Sequence, residues 1–363
     1  SHARVVIIGG GAVGVSTLYH LAKKGWSDVV LIERKELTSG STWHAAGLLP
    51  LFNMSYSVGQ IHKYSVNLYR SLQEETGLNP GLSQVSNIRL ATHRDRMDEY
   101  MQYAGVAETI GVHVERLTPD EVIDIWPLAV KDGLVGAIRH PDDGYIQPAD
   151  LTQALAKGAR DRGAEIYRNT VVSAISRTPS GEWKVTTDKG EISCEHVVSA
   201  TGNFARRTGA MVGLDIPVIP VEHQYIVTEP HPAIRERQAK GLPEMGVLRE
   251  SDGSWYMREE NGGLILGPYE VGAPVCYFDG PDDDSEYELF QEDLERLMPH
   301  IESAIARVPA FGEVGVKKVY NGAIAYTPDG SPIVGFVIVE PAPMVAPSPT
   351  STGATSSTPD PIN

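Results

Sequence analysis

Cysteine and positive charge are both scarce in this sequence. Among its 363 residues there are only two cysteines, Cys194 and Cys276, and their spacing fits neither a disulfide framework nor a metal site. Lys and Arg together number 31 against 47 Asp and Glu, which gives a formal net charge of −16. Nucleic acids are bound through concentrated basic side chains, so we expect no nucleic-acid partner. The cysteine spacing gives no reason to expect a metal ion either.

Long apolar runs are absent as well. No stretch approaches the roughly 20 apolar residues that cross a bilayer, and the first strand begins almost at the first residue, which predicts a soluble chain without a membrane segment or signal peptide. The hydrophobic fraction of 41% is still ample for a buried core. Two isolated cysteines indicate a reducing compartment, either the bacterial cytoplasm or the mitochondrial matrix.

Two kinds of pattern follow one another along the chain. Residues 4–35 show an apolar strand, a glycine-rich turn, a helical stretch and a second strand, which predicts a βαβ unit. Residues 60–76 and 148–162 have helical spacing, whereas from Val171 onward the sequence is rich in short strands that indicate a second sheet. Residues 336–363 are rich in Pro, Ser and Thr and indicate a tail or linker.

The glycine-rich turn carries a binding pattern. Gly9, Gly11 and Gly14 are spaced as G-x-G-x-x-G between a strand and a helix, where glycines permit a tight turn, close approach of a pyrophosphate and close helix–sheet packing. Glu33 ends the next strand, where a carboxylate accepts hydrogen bonds from ribose hydroxyls and repels a 2′-phosphate. The pattern predicts a dinucleotide site, and by itself it does not separate NAD from FAD.

The segment after Glu33 favours FAD. Residues 39–48 read Ser-Gly-Ser-Thr-Trp-His-Ala-Ala-Gly-Leu, and here the sequence resembles the D-amino-acid-oxidase-like flavoproteins, most closely the dimethylglycine and sarcosine dehydrogenase family. The resemblance implies that this segment runs along the flavin and that His44 is bonded covalently to the 8α carbon of its isoalloxazine ring. A neutral imidazole is a competent nucleophile toward that activated methyl group, and an alkyl link raises the flavin potential.

The same resemblance extends the cofactor site. In the family, the strand equivalent to the one at Val172 meets the adenine through its backbone, and the turn equivalent to Ala200–Gly202 lies close to the pyrophosphate. The residues to which the resemblance assigns FAD contacts, beyond those already named, are Arg34, Ser41, Thr42, Trp43, Gly47, Leu48, Val172, Ala200, Gly202 and Gly335.

Two predicted strands, at Pro220–Tyr225 and Trp255–Arg258, resemble the substrate side of the dimethylglycine-oxidising enzymes. The resemblance implies that His223 and Tyr256 flank the substrate near the flavin. A protonated amine must lose a proton before hydride transfer, and a histidine titrating near neutrality with a tyrosine hydroxyl beside it suits that step. Arg258 shares a strand face with Tyr256, where its guanidinium is placed to pair with a substrate carboxylate.

These features predict an α/β (α+β) fold with a Rossmann-like FAD-binding domain and a second, mostly antiparallel β-sheet substrate domain, as in D-amino-acid-oxidase-like proteins. Rossmann-like strands return after a long insertion, so we expect discontinuous domains. The expected boundaries are 4–90, 145–215 and 320–335 for the FAD-binding domain, 91–144 and 216–319 for the substrate domain, and 336–363 for the atypical tail. The motif resemblance covers residues 4–335. From Phe336 onward, the strand, glycine-rich turn and helix of the family pattern are lacking.

The activity that the resemblance implies is FAD-dependent demethylation of an N-methyl amino acid, dimethylglycine or sarcosine, by hydride transfer from the N-methyl carbon to flavin N5, giving an iminium. The sequence barely separates this from oxidation of another secondary or tertiary amine, such as a cyclic imino acid or a betaine-derived compound. A non-catalytic regulatory subunit of the same architecture is the third alternative. Expected partners are an electron-transfer flavoprotein or oxygen as acceptor, and a folate-binding domain or subunit for the one-carbon unit unless formaldehyde is released.

Overall fold

The computed structural model describes residues 1–335. Ser1–Pro332 form one compact unit, and of a second unit, Ile333–Asn363, residues 333–335 are described. The expected tail at 336–363 therefore lies outside the described residues. Among the helices of residues 1–335, none is both long and apolar enough to span a membrane.

The described part of the chain alternates helices and strands. The strands are β1 (His2–Ile8), β2 (Val29–Ile32), β3 (Leu48–Leu49), β4 (Asn87–Ala91), β5 (Glu115–Leu117), β6 (Gly136–His140), β7 (Gly144–Tyr145), β8 (Glu165–Tyr167), β9 (Val172–Arg177), β10 (Trp183–Thr187), β11 (Gly190–Ser199), β12 (Ile219–Thr228), β13 (Val247–Glu250), β14 (Trp255–Glu260), β15 (Gly263–Pro268) and β16 (Val316–Tyr326). The helices are α1 (Ala12–Lys23), α2 (Tyr56–Thr76), α3 (Arg94–Ile110), α4 (Pro119–Ile125), α5 (Pro148–Arg160), α6 (Ala205–Ala210), α7 (Pro232–Ala239) and α8 (Leu294–Arg307), with 3-10 turns at Gly202–Phe204 and Pro309–Glu313.

A six-stranded sheet contains the predicted βαβ unit. Its strand order is β8-β2-β1-β11-β10-β9, in which β8, β2, β1 and β11 are parallel and the last two strands are antiparallel. Val5 and Ile7 of β1 pack into one apolar cluster, while Val6 and Ile8 pack into another. Both faces of this strand are covered, which explains its uninterrupted apolar sequence.

Helix α1 covers one face of that sheet because its apolar residues recur with the helical period. Val15, Leu18, Tyr19 and Ala22 are all buried, and they share a cluster with residues of β1, β2 and α5. Burial of a side chain of leucine size contributes roughly 1.5–3 kcal/mol. This packing fixes the axis of α1, so its first turn stays at the ends of β1 and β11.

An eight-stranded sheet forms the second layer, in the order β16-β12-β15-β14-β13-β4-β6-β5. All neighbours in it are antiparallel except β13 and β4. Leu248, Met257 and Leu266 face the main apolar core, whereas Tyr256 and Ile265, which alternate with them, face the opposite side. The mixed α/β fold class predicted from the sequence is confirmed.

The segment at residues 41–49 reaches that opposite face. Leu48 in β3 pairs with Tyr145 in β7, and the backbone N–H of Ile146 donates to the carbonyl of Gly47 at 2.8 Å. Gly47 has φ of 73°, and a Cβ there would lie 1.9 Å from the carbonyl oxygen of Ile146. Glycine is therefore required to bring this segment against β7.

Sheet membership differs from the expected domain boundaries in two places. Strand β4 begins at Asn87 and pairs with β13 and β6, and β16 pairs with β12 along its length. Residues 87–90 and 320–326, which we had placed in the FAD-binding domain, thus belong to the eight-stranded sheet, because backbone pairing rather than chain order decides their location. The division into two discontinuous domains stays a prediction.

Candidate active site

The glycine turn after β1 is closed against the end of β11. Gly9 has φ of 113°, and a Cβ on it would lie 2.3 Å from the carbonyl oxygen of Ala200. A Cβ on Gly14 would lie 1.9 Å from the carbonyl oxygen of Gly9. The backbone N–H of Ala200 donates to the carbonyl of Ile8 at 2.9 Å. The fold therefore brings Gly9, Gly14 and Ala200 together at one turn that tolerates no side chain on either glycine.

The first turn of α1 presents free backbone donors next to this turn. Its N-cap residue, Gly11, provides no side-chain cap, and the first turn holds no acidic residue. Thr42 accepts one hydrogen bond, from the backbone N–H of Ala12 at 3.1 Å. The other first-turn N–H groups have no partner within the helix, so this helix end suits an anionic group such as a pyrophosphate.

Glu33 lies at the end of β2, within hydrogen-bond reach of the same turn. Its two carboxylate oxygens accept from the backbone N–H groups of Gly10 at 2.6 Å and Lys35 at 2.8 Å, and burial raises the pKa of the carboxyl. The backbone N–H of Thr170 donates to the carbonyl of Glu33 at 2.9 Å, which brings the chain leading to Val172 alongside. The remaining lone pairs on the carboxylate are available to ribose hydroxyls.

Three further residues of the predicted FAD set mainly hold loops and strands in place. Arg34 hydrogen-bonds Asp283 and lies over the ring of Phe204, with its Cζ 4.3 Å from the ring centroid. The hydroxyl of Ser41 donates to the carbonyl of Ala323 in β16 at 2.6 Å. Gly202, with φ of 54°, begins the 3-10 turn after β11. Gly335 belongs to the second unit and stays a prediction.

His44 rests on a glycine of the eight-stranded sheet. A Cβ on Gly322 in β16 would lie 2.4 Å from Cε1 and 2.6 Å from both ring nitrogens of His44. Trp43 meets His44 edge-on, with ring centroids 5.6 Å apart, and the buried indole Nε1 of Trp43 has no hydrogen-bond partner among the described residues. Burial lowers the pKa of His44 to about 4, and the nearby His223 lowers it as well. The imidazole is therefore neutral at pH 7.

His223 lies beside His44. On β12 it is the direct cross-strand partner of Gly322, the residue on which the His44 ring rests. Burial lowers the pKa of His223 below its ordinary value, so this imidazole is also neutral at pH 7. Its ring centroid lies 5.3 Å from that of Tyr269. The structure thus brings together the predicted flavin-bonding histidine and the predicted catalytic histidine, which are distant in sequence.

Tyr256 and Arg258 share the predicted face of β14 but have different surroundings. Tyr256 lies against Gly267, where a Cβ would be 2.0 Å from its Cζ, and burial raises the pKa of its hydroxyl, which stays protonated. Its ring centroid is 5.9 Å from that of Tyr269. Arg258 is buried and donates to the carboxylate of Glu260 at 2.6 Å. Its charge already has a partner within the protein.

Several residues at this face were not identified from the sequence. Gly322 and Gly267 make room for the rings of His44 and Tyr256, and glycine inside an apolar strand is a signal of such close approach. Arg89 and Arg249 are cross-strand neighbours on β4 and β13. Arg89 lies between the apolar residues Ile88 and Leu90. Arg249 lies between Leu248 and Glu250, so its sequence neighbours give no such signal.

The described residues fit FAD at both ends of that molecule. The glycine turn and the open first turn of α1 suit its pyrophosphate, and Glu33 suits a ribose. The neutral imidazole of His44 next to the unpartnered indole N–H of Trp43 suits the flavin end. The two ends are joined by the hydrogen bond from the backbone N–H of Ala12 to Thr42, which immediately precedes Trp43 and His44.

Comparison with known proteins agrees with this site. Residues 4–358 match the family described as FAD dependent oxidoreductase, a match that runs past residue 335, where the motif resemblance ended. The chain is 40% identical to rat (Rattus norvegicus) mitochondrial dimethylglycine dehydrogenase over 92% of its own length and 39% of that protein. It is 36% identical to human (Homo sapiens) mitochondrial sarcosine dehydrogenase, over 92% of this chain and 36% of that protein.

The solved structure of L-proline dehydrogenase from P. horikoshii superposes on 93% of this chain and 85% of that one, with a TM-score of 0.80 and 26% identity. The chain spans less than two fifths of the length of the two curated dehydrogenases. The family match covers nearly the whole sequence. It agrees with two features of the structure, the glycine turn packed against Ala200 and the His44 ring packed on Gly322. The chain belongs to the FAD dependent oxidoreductase family.

Proposed function

We propose that this chain is the FAD-binding catalytic part of an oxidoreductase that removes an N-methyl group from dimethylglycine or sarcosine, with FAD bonded covalently through His44. The observation that carries the proposal is the pairing of His44, seated on Gly322, with His223 on the neighbouring strand. The two relatives named above, which act on dimethylglycine and sarcosine, supply the substrate class.

His44 meets the requirements of a nucleophile for the covalent link. Its burial holds the imidazole neutral, so a ring nitrogen keeps the lone pair that a bond to the 8α carbon of bound FAD would need. That bond would replace one C–H bond of the 8α methyl group, whose proton would be released and whose two electrons would pass through the flavin to the electron acceptor. Gly322 lets the ring lie flat on β16, and Trp43 holds it from the edge. These contacts restrict the ring to one orientation, which favours bond formation with a planar cofactor placed beside it.

His223 and Tyr256 are proposed to prepare the substrate amine. When bound, FAD supplies the acceptor for the hydride that leaves the N-methyl carbon. His223, being neutral, can accept the proton that a dialkylammonium must lose to free its nitrogen lone pair. Tyr256 keeps its hydroxyl proton and can donate a hydrogen bond that orients His223 or the amine. The organic product is an iminium, which water converts to the demethylated amine and formaldehyde.

The partners are part of the same proposal. The electrons pass to oxygen or to an electron-transfer flavoprotein, and a folate-binding domain or subunit takes up the one-carbon unit where formaldehyde is not released. The compartment proposed is the mitochondrial matrix or a bacterial cytoplasm, in line with the mitochondrial location in the relatives' names. Substrates without a methyl group on nitrogen, such as cyclic imino acids, remain a second substrate class for this site.

The test is a visible absorption spectrum of the purified protein before and after acid precipitation. We expect flavin absorbance to stay with the pellet in the wild type and to move to the supernatant in His44→Ala. His113→Ala, at an exposed histidine, serves as the control and should keep the flavin in the pellet. Anaerobic addition of dimethylglycine or sarcosine should bleach the flavin in the wild type.

Three results would count against all or part of the proposal. Flavin that leaves the acid-precipitated wild type would remove the covalent link but keep the oxidoreductase. A colourless protein that also fails to take up added FAD would remove both and would favour the regulatory-subunit alternative. Bleaching by a cyclic imino acid but not by N-methyl amino acids would change the substrate class alone.

A further inference from the structure

Two arginines lie side by side on the face of the eight-stranded sheet that carries Tyr256. Arg89 on β4 and Arg249 on β13 are direct partners in the parallel pairing of these strands. Arg249 is in turn the cross-strand partner of Tyr256 on β14. The three side chains therefore form one row on the same face.

Neither guanidinium is neutralised by an ion pair within the described residues. The Nε atoms of Arg89 and Arg249 are buried and have no hydrogen-bond partner in residues 1–335. Burial and the neighbouring charge of Arg249 together lower the pKa of Arg89 to about 10. Like charges held together in a poorly solvated place are costly unless an anion joins them.

Asp143 is the nearby acid, but it is engaged elsewhere. It is fully buried, and its oxygens accept from the backbone N–H groups of Gly144 at 2.8 Å and Leu51 at 3.1 Å. Burial raises its pKa to about 7, against the opposing effect of Arg249 and Arg89. Even with Asp143 ionised, the two arginines leave one net positive charge in the cluster, which the single negative charge of one carboxylate ligand would balance.

An aromatic ring connects this cluster to the proposed catalytic histidine. The Cζ of Arg249 lies 5.9 Å from the ring centroid of Tyr269, and that ring is 5.3 Å from the ring of His223. Tyr269 is 41% exposed, so it borders solvent as well. A small molecule lying along Tyr269 would have the arginines at one end and His223 at the other.

We propose that Arg89 and Arg249 together bind the carboxylate of the substrate, which orients the amine toward His223. This rests on the proposed function above and deepens it, because it names the side chains that would select a carboxylate-bearing amine over an uncharged analogue. It also assigns to Arg89 and Arg249 the role that the sequence favoured for Arg258. Arg258 is bound to Glu260 and to the backbone carbonyl of Glu259, so it has fewer donors to offer.

The experiment measures the binding of acetate, a carboxylate that cannot be oxidised as an amine, by calorimetric titration of the flavin-loaded protein. We expect Arg249→Gln and Arg89→Gln each to weaken acetate binding about tenfold or more, the effect of losing a charge-assisted hydrogen bond. Arg139→Gln is the matched control, since Arg139 lies on β6 of the same sheet and pairs with Glu115. It should leave the affinity for acetate within about twofold of wild type.

A turnover measurement gives a ratio of two kcat/KM values, which a general loss of folded protein would leave unchanged. The preference of kcat/KM for dimethylglycine over dimethylethylamine, in which a methyl group replaces the carboxylate, should fall about tenfold or more in Arg249→Gln. Arg249→Lys keeps the charge and should recover part of the preference. A variant that has merely lost structure would lower both rates alike.

Acetate binding and turnover separate the two proposals. A wild type that binds acetate through Arg249 but oxidises no N-methyl amine would overturn the proposed function and keep the carboxylate site. A wild type that oxidises dimethylglycine while Arg249→Gln keeps full acetate affinity would keep the proposed function and overturn the carboxylate site. Loss of acetate binding in Arg258→Gln alone would return the role to Arg258, and a wild type that binds no acetate would overturn the inference.

Discussion

At the scale of single residues, two rings of the candidate site lie directly on glycines of the eight-stranded sheet. His44 rests on Gly322 and Tyr256 on Gly267. In both cases the ring takes the space of a missing side chain, so its position is set by the strand beneath it. A methyl group added at either glycine would push the ring outward, because the neighbouring strands hold the backbone in place.

Gly322→Ala should therefore disturb His44 without altering its chemistry. The new Cβ would lie 2.4 Å from Cε1 of the imidazole, and we expect the protein to lose about 1–3 kcal/mol of unfolding free energy and most of its acid-stable flavin. Urea denaturation and the absorbance of the acid-precipitated pellet measure the two effects. Gly105→Ala in α3 is the control, since no atom lies within 4 Å of a Cβ there and α3 is outside the proposed flavin segment. Full covalent flavin in Gly322→Ala would show that the His44 ring is not held by β16.

The acid–base residues also make a prediction at this scale. His223 is held neutral by burial, and it loses its role as proton acceptor when it becomes protonated. We expect kcat/KM to be lost on the acid side of the pH profile, at a pH below the usual range of histidine. His223→Asn should lower kcat/KM about 100-fold or more and remove that acid limb. An acid limb that persists in His223→Asn would assign the titration to another group.

At the scale of elements, helix α1 and the glycine turn act as one unit. The turn was predictable because its glycines, the flanking strand and Glu33 stand in a spacing that needs no tertiary information. Helix α1 then packs onto the sheet through Val15, Leu18 and Tyr19. Its approach to the turn is so close at Gly14 that any side chain there would meet the carbonyl of Gly9.

Gly14→Ala should separate α1 from the turn. With the new Cβ 1.9 Å from that carbonyl, the helix must shift, and we expect both lower stability and weaker FAD uptake. A matched helical control exists in α3, where Gly105→Ala meets nothing within 4 Å and should stabilise the protein by about 0.4–1 kcal/mol. Chemical denaturation and titration of the flavin-free protein with FAD measure the outcome. Equal FAD affinity in both variants would contradict a pyrophosphate site at this turn.

Local pattern accounts for the elements better than for their partners. The strand at β1, the helices α1 and α5 and the strands at Pro220–Tyr225 and Trp255–Arg258 were predicted within a few residues, since each depends on periodicity and turn residues in its own segment. The partners of β16 and β4 were not predictable in this way. Their pairing with β12 and β13 joins segments far apart in sequence, and no short-range signal encodes that choice.

The same limit applies to the site. The residues in the Trp43–His44 segment could be identified because they form one contiguous motif. Arg89 and Arg249 could not, because an arginine in an apolar strand does not reveal that another lies across from it on a distant strand. For Arg258, the spacing from Tyr256 correctly predicted that the two residues share a strand face. The spacing could not predict that the guanidinium pairs with Glu260.

At the scale of the whole molecule, several buried groups link stability to pH in opposite directions. Burial lowers the pKa of His44 to about 4 and that of His140 to about 3, so unfolding takes up protons as pH falls below about 6.5, and stability falls. Asp143 acts the other way, because its pKa is raised to about 7 and its burial stabilises the fold most at low pH.

His140 gives a clean test of this balance. Replacing it by Gln keeps a polar group beside Tyr103, its hydrogen-bond partner at 2.9 Å, and removes one titrating site. Between pH 6.5 and pH 4, the unfolding free energy of His140→Gln should fall less steeply with falling pH than that of the wild type. The difference between the two slopes should correspond to the uptake of up to about one proton on unfolding. Urea denaturation at several pH values measures it. Parallel curves would mean that His140 is already protonated, or exposed, in the folded protein.

The packing of His44 against β16 also affects the stage of folding at which the flavin can be attached. A ribosome makes His44 early and Gly322 only at the last strand of the described chain. Until β16 has joined β12, the imidazole lacks the strand on which its ring rests in the folded protein. Under the proposed linkage, the flavin is fastened only after the sheet is complete. The covalent bond would then be present on chains that have folded completely and absent from chains that have not.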